Sequence, residues 1–320
     1  MTSCGPSDDE NAGASERFGL IGPAALAAPV APMRWLITGL WPVGSYGPWG
    51  GAKKTLKTYA ASIAALAVAS GRPAFANSEW SVPAPRPVLY YGGEGGQEMH
   101  RRRLQRSALD LYGIADIATL PLYLVTDIGP FDSAEFQEAL WRNVERIDTE
   151  HAATHPSGTG LVVLDSLYNY HPPKVEAANL YERGRLLAGR SAETAERGLA
   201  LWVVDHFNKN GSGIDLDRLA QAGMSQWADS WVLIEHGEPP DVANGMFTLS
   251  TGVGSRQWGG EEWTVRIDLG PFDKDTSTYL NRPGFSAGFL LAAVTGWWTV
   301  GAVSRVGQPG VLIGRGAGRG

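Results

Sequence analysis

The stretch that most constrains this chain is Gly51-Ala52-Lys53-Lys54-Thr55-Leu56-Lys57-Thr58. It follows the glycine-rich Trp41-Pro42-Val43-Gly44-Ser45-Tyr46-Gly47-Pro48-Trp49-Gly50 and opens an apolar helical stretch, Leu56 to Ser70. Against the pattern G-x-x-x-x-G-K-[ST] it fits with Gly51 first, Lys57 as the phosphate lysine and Thr58 as the Mg²⁺-binding hydroxyl. Leu56 stands where the second glycine belongs. The physics of an anion site survives that change, because backbone N–H groups ahead of a helix still point at a phosphate and the helix N-terminus still favours negative charge. A rival register runs from Gly47 to Thr55, with Ala52 in place of a glycine. The intact Lys57-Thr58 pair at the first helical turn favours the first register. A glycine-rich turn with solvated lysines is the bland alternative, so the rest of the chain decides.

Composition bounds the answer. The chain has 320 residues, a net charge of −6 and one cysteine, Cys4. One cysteine excludes a disulfide framework and a Cys₄ zinc site. The acidic balance gives no global case for nucleic-acid binding, although a local basic strip remains possible. Residues 1–30 are polar, small and acidic; they read as a flexible leader and not as a signal peptide.

Along the chain, Arg34 to Leu40 reads as a first strand or an approach segment. Pro87 to Tyr91 is a short apolar strand running into Gly92-Gly93-Glu94-Gly95-Gly96. That places Glu94 either in a solvated loop or at the carboxyl end of a strand, where open α/β sheets bind ligands. A helix from Gln97 to Tyr112 follows, carrying Arg101, Arg102, Arg103 and Arg106. A charge run of this kind is expected to be a solvated face rather than a phosphate site. Leu122 to Val125 is a strand, and Ser133 to Glu150 an amphipathic helix capped by Ser133.

Gly160-Leu161-Val162-Val163-Leu164-Asp165-Ser166 is the second strong signal. Four consecutive apolar residues predict a strand buried on both faces, as in a parallel sheet, with Asp165 at its end. That is the position of an aspartate holding the water shell of Mg²⁺. After a helical stretch from Val175 to Arg197, Leu199 to Val204 forms another buried strand ending in Asp205-His206, where a polar group can sense a γ-phosphate. Asp215 to Ala222 reads as a short helix, and Ser230 to Ile234 as a strand. Gly245–Thr251 and Glu262–Leu269 alternate as a closing hairpin with its tip at Gly254 to Gly260. Phe285 to Val303 is apolar and long enough to span a bilayer, but its glycines and paired Trp argue against a membrane segment.

In this order the motifs resemble the RepA-like ATPases of plasmids and phages, within the RecA/DnaB superfamily. The likeness covers about residues 34 to 270, and Glu94 and Asp165 are its most specific points. It implies an α/β, RecA-like P-loop core: a mostly parallel twisted sheet flanked by helices, with a C-terminal antiparallel hairpin. The expected division is a leader at 1–30, an ATPase domain at 31–272 and a tail at 273–320. The resemblance further implies ATP and Mg²⁺ as ligands, bound by Gly51, Ala52, Lys53, Lys54, Thr55, Leu56, Lys57 and Thr58, with Thr58 and Asp165 toward the metal. Lys57 would contact the β- and γ-phosphates, Glu94 would polarise the attacking water, and His206 would sense the γ-phosphate. Arg256, at the hairpin tip, would reach a neighbour's ATP, with Arg266 as its alternative. The implied protein is a cytoplasmic homo-oligomeric ring, a hexamer among the implied sizes, moving on single-stranded DNA as a replicative helicase. The alternatives are an ATP-dependent switch subunit beside a primase or initiator, and an α/β protein whose motifs are coincidental.

Overall fold

In the computed structural model, residues 20–172, 180–207, 213–219, 223–275, 278–279, 290–295, 298–304 and 311–315 are described. The chain divides into two compact units, Met1–Met33 and Arg34–Gly320. In the first, the short helix α1 (Pro23–Ala27) buries no side chain.

The second unit begins with β1 (Trp35–Ile37) and β2 (Trp41–Pro42), which pair with each other as a separate antiparallel ribbon. The segment read as a first strand or an approach segment thus forms a strand, but one outside the large sheet. The first strand of the large sheet is β3 (Tyr46–Gly51), whose glycines and proline had read as a turn. It leads to helix α2 (Lys57–Ser70), then β4 (Val88–Gly92), α3 (Gly96–Tyr112), β5 (Leu122–Val125) and α4 (Ala134–Glu150). Next come β6 (Leu161–Asp165), α5 (Leu180–Glu196), β7 (Ala200–His206), the short α6 (Met224–Trp227) and β8 (Ser230–His236). A long hairpin of β9 (Met246–Ser255) and β10 (Gly259–Asp268) follows, then a small ribbon of β11 (Phe272–Asp273) and β12 (Thr278–Tyr279). Strands β13 (Leu290–Thr295), β14 (Trp298–Ser304) and β15 (Val311–Arg315) end the chain.

One sheet takes the order β15-β14-β13-β10-β9-β8-β3-β7-β6-β4-β5. From β8 to β5 every neighbouring pair is parallel; from β8 outward to β15 every pair is antiparallel. The fold is thus the expected α/β sheet with an antiparallel extension. The extension is larger than one hairpin, and its turn shrinks to Arg256–Trp258. Strands β13 and β14 occupy part of the stretch whose length matched a bilayer. Residues 280–289 and 296–297 lie outside the described residues, and no described helix is long and apolar enough to cross a membrane. Of the helix expected at Asp215 to Ala222, the described part is a 3₁₀ turn, Leu216–Arg218, and 220–222 lie outside the described residues.

The period of two explains how the parallel strands bury both faces. Val88, Tyr90, Leu161, Val163, Trp202 and Val204 face one core with α2, while Leu89, Tyr91, Val162, Leu164, Leu201 and Val203 face the other with α4. Alanines dominate the buried length of α2, which lets it lie close to the sheet. Gly71 stops it in a left-handed cap (φ 70°), its N–H donating to the Ala67 carbonyl. Phe136, Leu140, Val144 and Ile147 are the buried stripe of α4, and Ser133 caps it by accepting from the Phe136 N–H.

At the amino ends of the strands, Arg86 is the tie. It is 8% exposed, and its guanidinium donates to the carbonyls of Ser157 (2.6 Å), Thr159 (2.8 Å), Gly198 (2.9 Å) and Gly158 (3.1 Å). Replacing it by Met leaves those carbonyls without donors, and each buried unsatisfied group costs about 1–3 kcal/mol. Arg86→Met is expected to lose on the order of 3 kcal/mol in urea unfolding; a loss below about 1 kcal/mol would show that water replaces the guanidinium there.

Candidate functional site

Four adjacent parallel strands, β3, β7, β6 and β4, bring their carboxyl ends together at Gly51, His206, Asp165 and Gly92. From Gly51 the chain passes through a tight loop into α2. The loop is tied to the sheet by the Ala52 N–H donating to the Ile234 carbonyl (3.1 Å) and the Phe207 N–H to the Gly51 carbonyl (2.9 Å). A Cβ on Gly51 would stand 2.2 Å from the Ile234 carbonyl oxygen, so this close approach needs glycine. Leu56, at the cap of α2, adopts φ 57° and ψ 25°. The second glycine of the motif is thus replaced in sequence while a glycine-like conformation is kept. A left-handed non-glycine residue costs about 1–2 kcal/mol, and packing of the Leu56 side chain against the core offsets part of it.

Lys57 is the first residue of α2 and only 5% exposed; its ammonium donates to the Ala52 carbonyl at 2.6 Å. Burial lowers its pKa to about 8, against the raising pull of Asp165, Asp205 and Glu94. Lys53 is exposed, and the Thr55 hydroxyl is spent on the Ala52 carbonyl at 2.8 Å. The Thr58 hydroxyl donates to Asp165 Oδ1 (3.1 Å), and the Tyr90 hydroxyl donates to Asp165 Oδ2 (2.6 Å). Asp165 is 1% exposed, and burial pushes its pKa up to about 6 although both hydroxyls oppose the shift. Tyr90, at the middle of β4, carried no sequence signal beyond being an aromatic in a buried strand.

Glu94 sits in the loop after β4. Its carboxylate accepts from the Ser166 hydroxyl (2.7 Å), and its carbonyl from His100 Nε2 (2.7 Å). His206 is half-buried at the end of β7; burial, then the Lys57 charge, lower its pKa and keep the ring neutral. A cavity of about 560 Å³ gathers Lys54 to Tyr59, Glu94, Asp165, Ser166 and His206. Arg102, Arg103 and Arg106 also line it, with Phe272 and Tyr279 from the β11–β12 ribbon. The expectation of a solvated arginine face holds only in part: Arg101 pairs with Glu98 and Arg102 is exposed, Arg106 pairs with Asp110, and Arg103 lies over the Tyr59 ring at 5.7 Å, while Arg102, Arg103 and Arg106 all line the cavity.

Arg256 is not brought into this group. It lies in the β9–β10 turn beside Ser230, at the amino end of β8, and its guanidinium donates to the Gln226 carbonyl of its own chain. Arg266 lies toward the other end of β10. It pairs in register with Thr248, whose carbonyl accepts from the Gly237 N–H just past β8. Arg266 is exposed, and it lies toward the same end of the strands as the Gly51–Thr58 loop.

The raised Asp165 pKa has a definite sign. Between its ordinary value of 3.8 and about 6 the folded chain holds a proton that the unfolded chain has released. Stability from this group is greatest below pH 3.8 and falls as pH rises through 6. A shift of this size corresponds to roughly 3 kcal/mol. Asp165→Asn should flatten the pH dependence of urea unfolding in that window; an unchanged slope would assign it to other groups.

A family model described as an AAA domain matches residues 16–212. Among solved structures, the chain is similar to a KaiC-like protein from the hyperthermophilic archaeon Pyrococcus horikoshii OT3, at 15% identity and a TM-score of 0.46, over 76% of this chain and 97% of that one. No curated protein matches the sequence. The family match spans more than half of the 320 residues and contains the phosphate loop, Glu94, Asp165 and His206, and the chain belongs to the AAA-domain family of P-loop ATPases.

Proposed function

We propose that this chain hydrolyses ATP and uses the cycle to drive a ring-shaped motor on single-stranded DNA, as a replicative helicase of a mobile element. The observation that carries the ATPase part is the cavity in which Lys57, Thr58, Glu94, Asp165 and His206 converge at the carboxyl ends of parallel strands. Lys57 and the N–H groups of the Gly51–Thr58 loop hold the β- and γ-phosphates. Thr58 and Asp165 present two oxygens 3.1 Å apart. That donor set fits Mg²⁺, which is commonly held by one or two protein oxygens with phosphates and water rather than by a full protein cage. When bound, Mg²⁺ supplies charge neutralisation on the phosphates. Glu94 takes a proton from the attacking water, and neutral His206 hydrogen-bonds the γ-phosphate. Phe272 and Tyr279, aromatic residues in the cavity lining, accommodate the nucleoside.

The DNA-motor part rests on the resemblance of the motif order to that of RepA-like ATPases. Turnover of MgATP should rise several-fold on adding single-stranded DNA, and Lys57→Ala should abolish nucleotide binding while Lys53→Ala leaves it within about threefold. Turnover indifferent to DNA would favour the switch subunit; loss of binding in Lys53→Ala alone would move the phosphate lysine.

A ring needs a guanidinium supplied in trans, and such fingers are worth about 10³- to 10⁵-fold in turnover. Arg256 is turned back on its own chain, so Arg266 is the better-placed donor. Mixing Arg266→Ala subunits with Lys57→Ala subunits should restore part of the ATPase activity, since one supplies the pocket and the other the finger. Recovery with Arg256→Ala subunits instead would return the role to the hairpin turn, and none with either would remove the shared site.

A further inference from the structure

Glu94 lies in a run of glycines, Gly92-Gly93-Glu94-Gly95-Gly96, which by itself holds a side chain poorly because glycine leaves the backbone free. Three contacts remove that freedom. The Gly93 N–H donates to the Asp165 carbonyl at 2.6 Å, fixing the loop to the end of β6. His100, buried at 1% exposure on α3, donates from Nε2 to the Glu94 carbonyl at 2.7 Å. It fits there only because residue 92 is glycine: a Cβ at Gly92 would stand 2.5 Å from His100 Nε2. The third contact reaches the functional atoms. Ser166, 2% exposed and next in sequence to Asp165, donates its hydroxyl to Glu94 Oε1 at 2.7 Å.

We propose that Ser166 is a positioning residue that clamps one carboxylate oxygen of Glu94 and so aims the other at the nucleophilic water. The proposal rests on the reading of Glu94 as general base. A hydroxyl has one proton to donate. Given to Oε1, it restrains the carboxylate's rotation and leaves Oε2 as the oxygen free to act as base in the cavity that both residues line. The water then gives one proton to Oε2 as its oxygen bonds the γ-phosphorus, and the bond from that phosphorus to the leaving ADP oxygen breaks. Ser166 keeps its own proton throughout. Its position directly after Asp165 links the metal-side carboxylate and the base through one strand end, so the two are set at a fixed spacing by β6.

Loss of alignment by about 1 Å costs on the order of 10²-fold in rate. Ser166→Ala should lower kcat about 10- to 100-fold and leave the KM for MgATP and the Mg²⁺ requirement within about twofold. A merely structural serine would not give that split. The sharper test is the pair of variants: in a Glu94→Gln background, where no base remains to aim, Ser166→Ala should cause no further loss in kcat. Independent, multiplying losses would overturn the proposal, as would a raised Mg²⁺ requirement, which would assign the hydroxyl to the metal's water shell. Unchanged kcat in Ser166→Ala, with Glu94→Gln inactive, defeats the clamp and leaves the ATPase reading standing. A wild-type chain that binds MgATP and never turns it over defeats both.

Discussion

The structure around the site depends on one buried carboxylate. Asp165 is enclosed at the end of a strand whose two neighbours cover both its edges, and burying a charge there is costly unless it is held. Two hydroxyls hold it, Thr58 from the start of α2 and Tyr90 from β4, and the ammonium of Lys57 acts on it through space. Those contacts join the phosphate loop, the strand before Glu94 and the strand after α4 into one unit. In the proposed function an arriving Mg²⁺ would relieve part of what burial imposes on Asp165.

Lys57 mirrors this. It is a buried cation whose loop carbonyl is a weak substitute for a phosphate, and its lowered pKa, about 8, reports incomplete compensation by Asp165, Asp205 and Glu94. A ligand carrying both signs, such as the magnesium-bound polyphosphate of the proposed function, would compensate both residues at once. Arg102, Arg103 and Arg106 line the cavity together with Phe272 and Tyr279 of the aromatic ribbon.

Much of this was legible in the sequence. The buried strands read as continuous apolar runs because a parallel sheet covers both faces, and Asp165 was visible as the first polar residue after one of them. Local rules failed in three informative places. Leu56 looked like a broken motif, yet its backbone takes the left-handed shape that the motif's glycine supplies. Tyr46–Gly51 looked like a turn because glycine and proline usually mark one, but here glycine permits close approach to β8 at Ile234, and Pro48 precedes the point where the β3–β8 ladder begins. The arginines of α3 looked solvated because helix periodicity alone does not say what stands opposite; the β11–β12 ribbon, distant in sequence, makes their face a wall. Tyr90, His100 and Ser166 gave no signal, since their roles exist only where separate strand ends meet. Arg256 was legible as a turn residue, but not which edge of the sheet the turn occupies, a matter of strand direction.

The central claim is that the Gly51–Thr58 loop and the strand ends beside it receive a magnesium-bound nucleotide triphosphate. Amide hydrogen exchange with and without saturating MgATPγS tests this most directly. The account predicts slowed exchange in Ala52 to Thr58, Glu94 to Gly96 and His206, with β9 and the Arg256 turn unchanged in the isolated subunit. Binding that leaves the Ala52–Thr58 amides unprotected, or protects another surface instead, would contradict it.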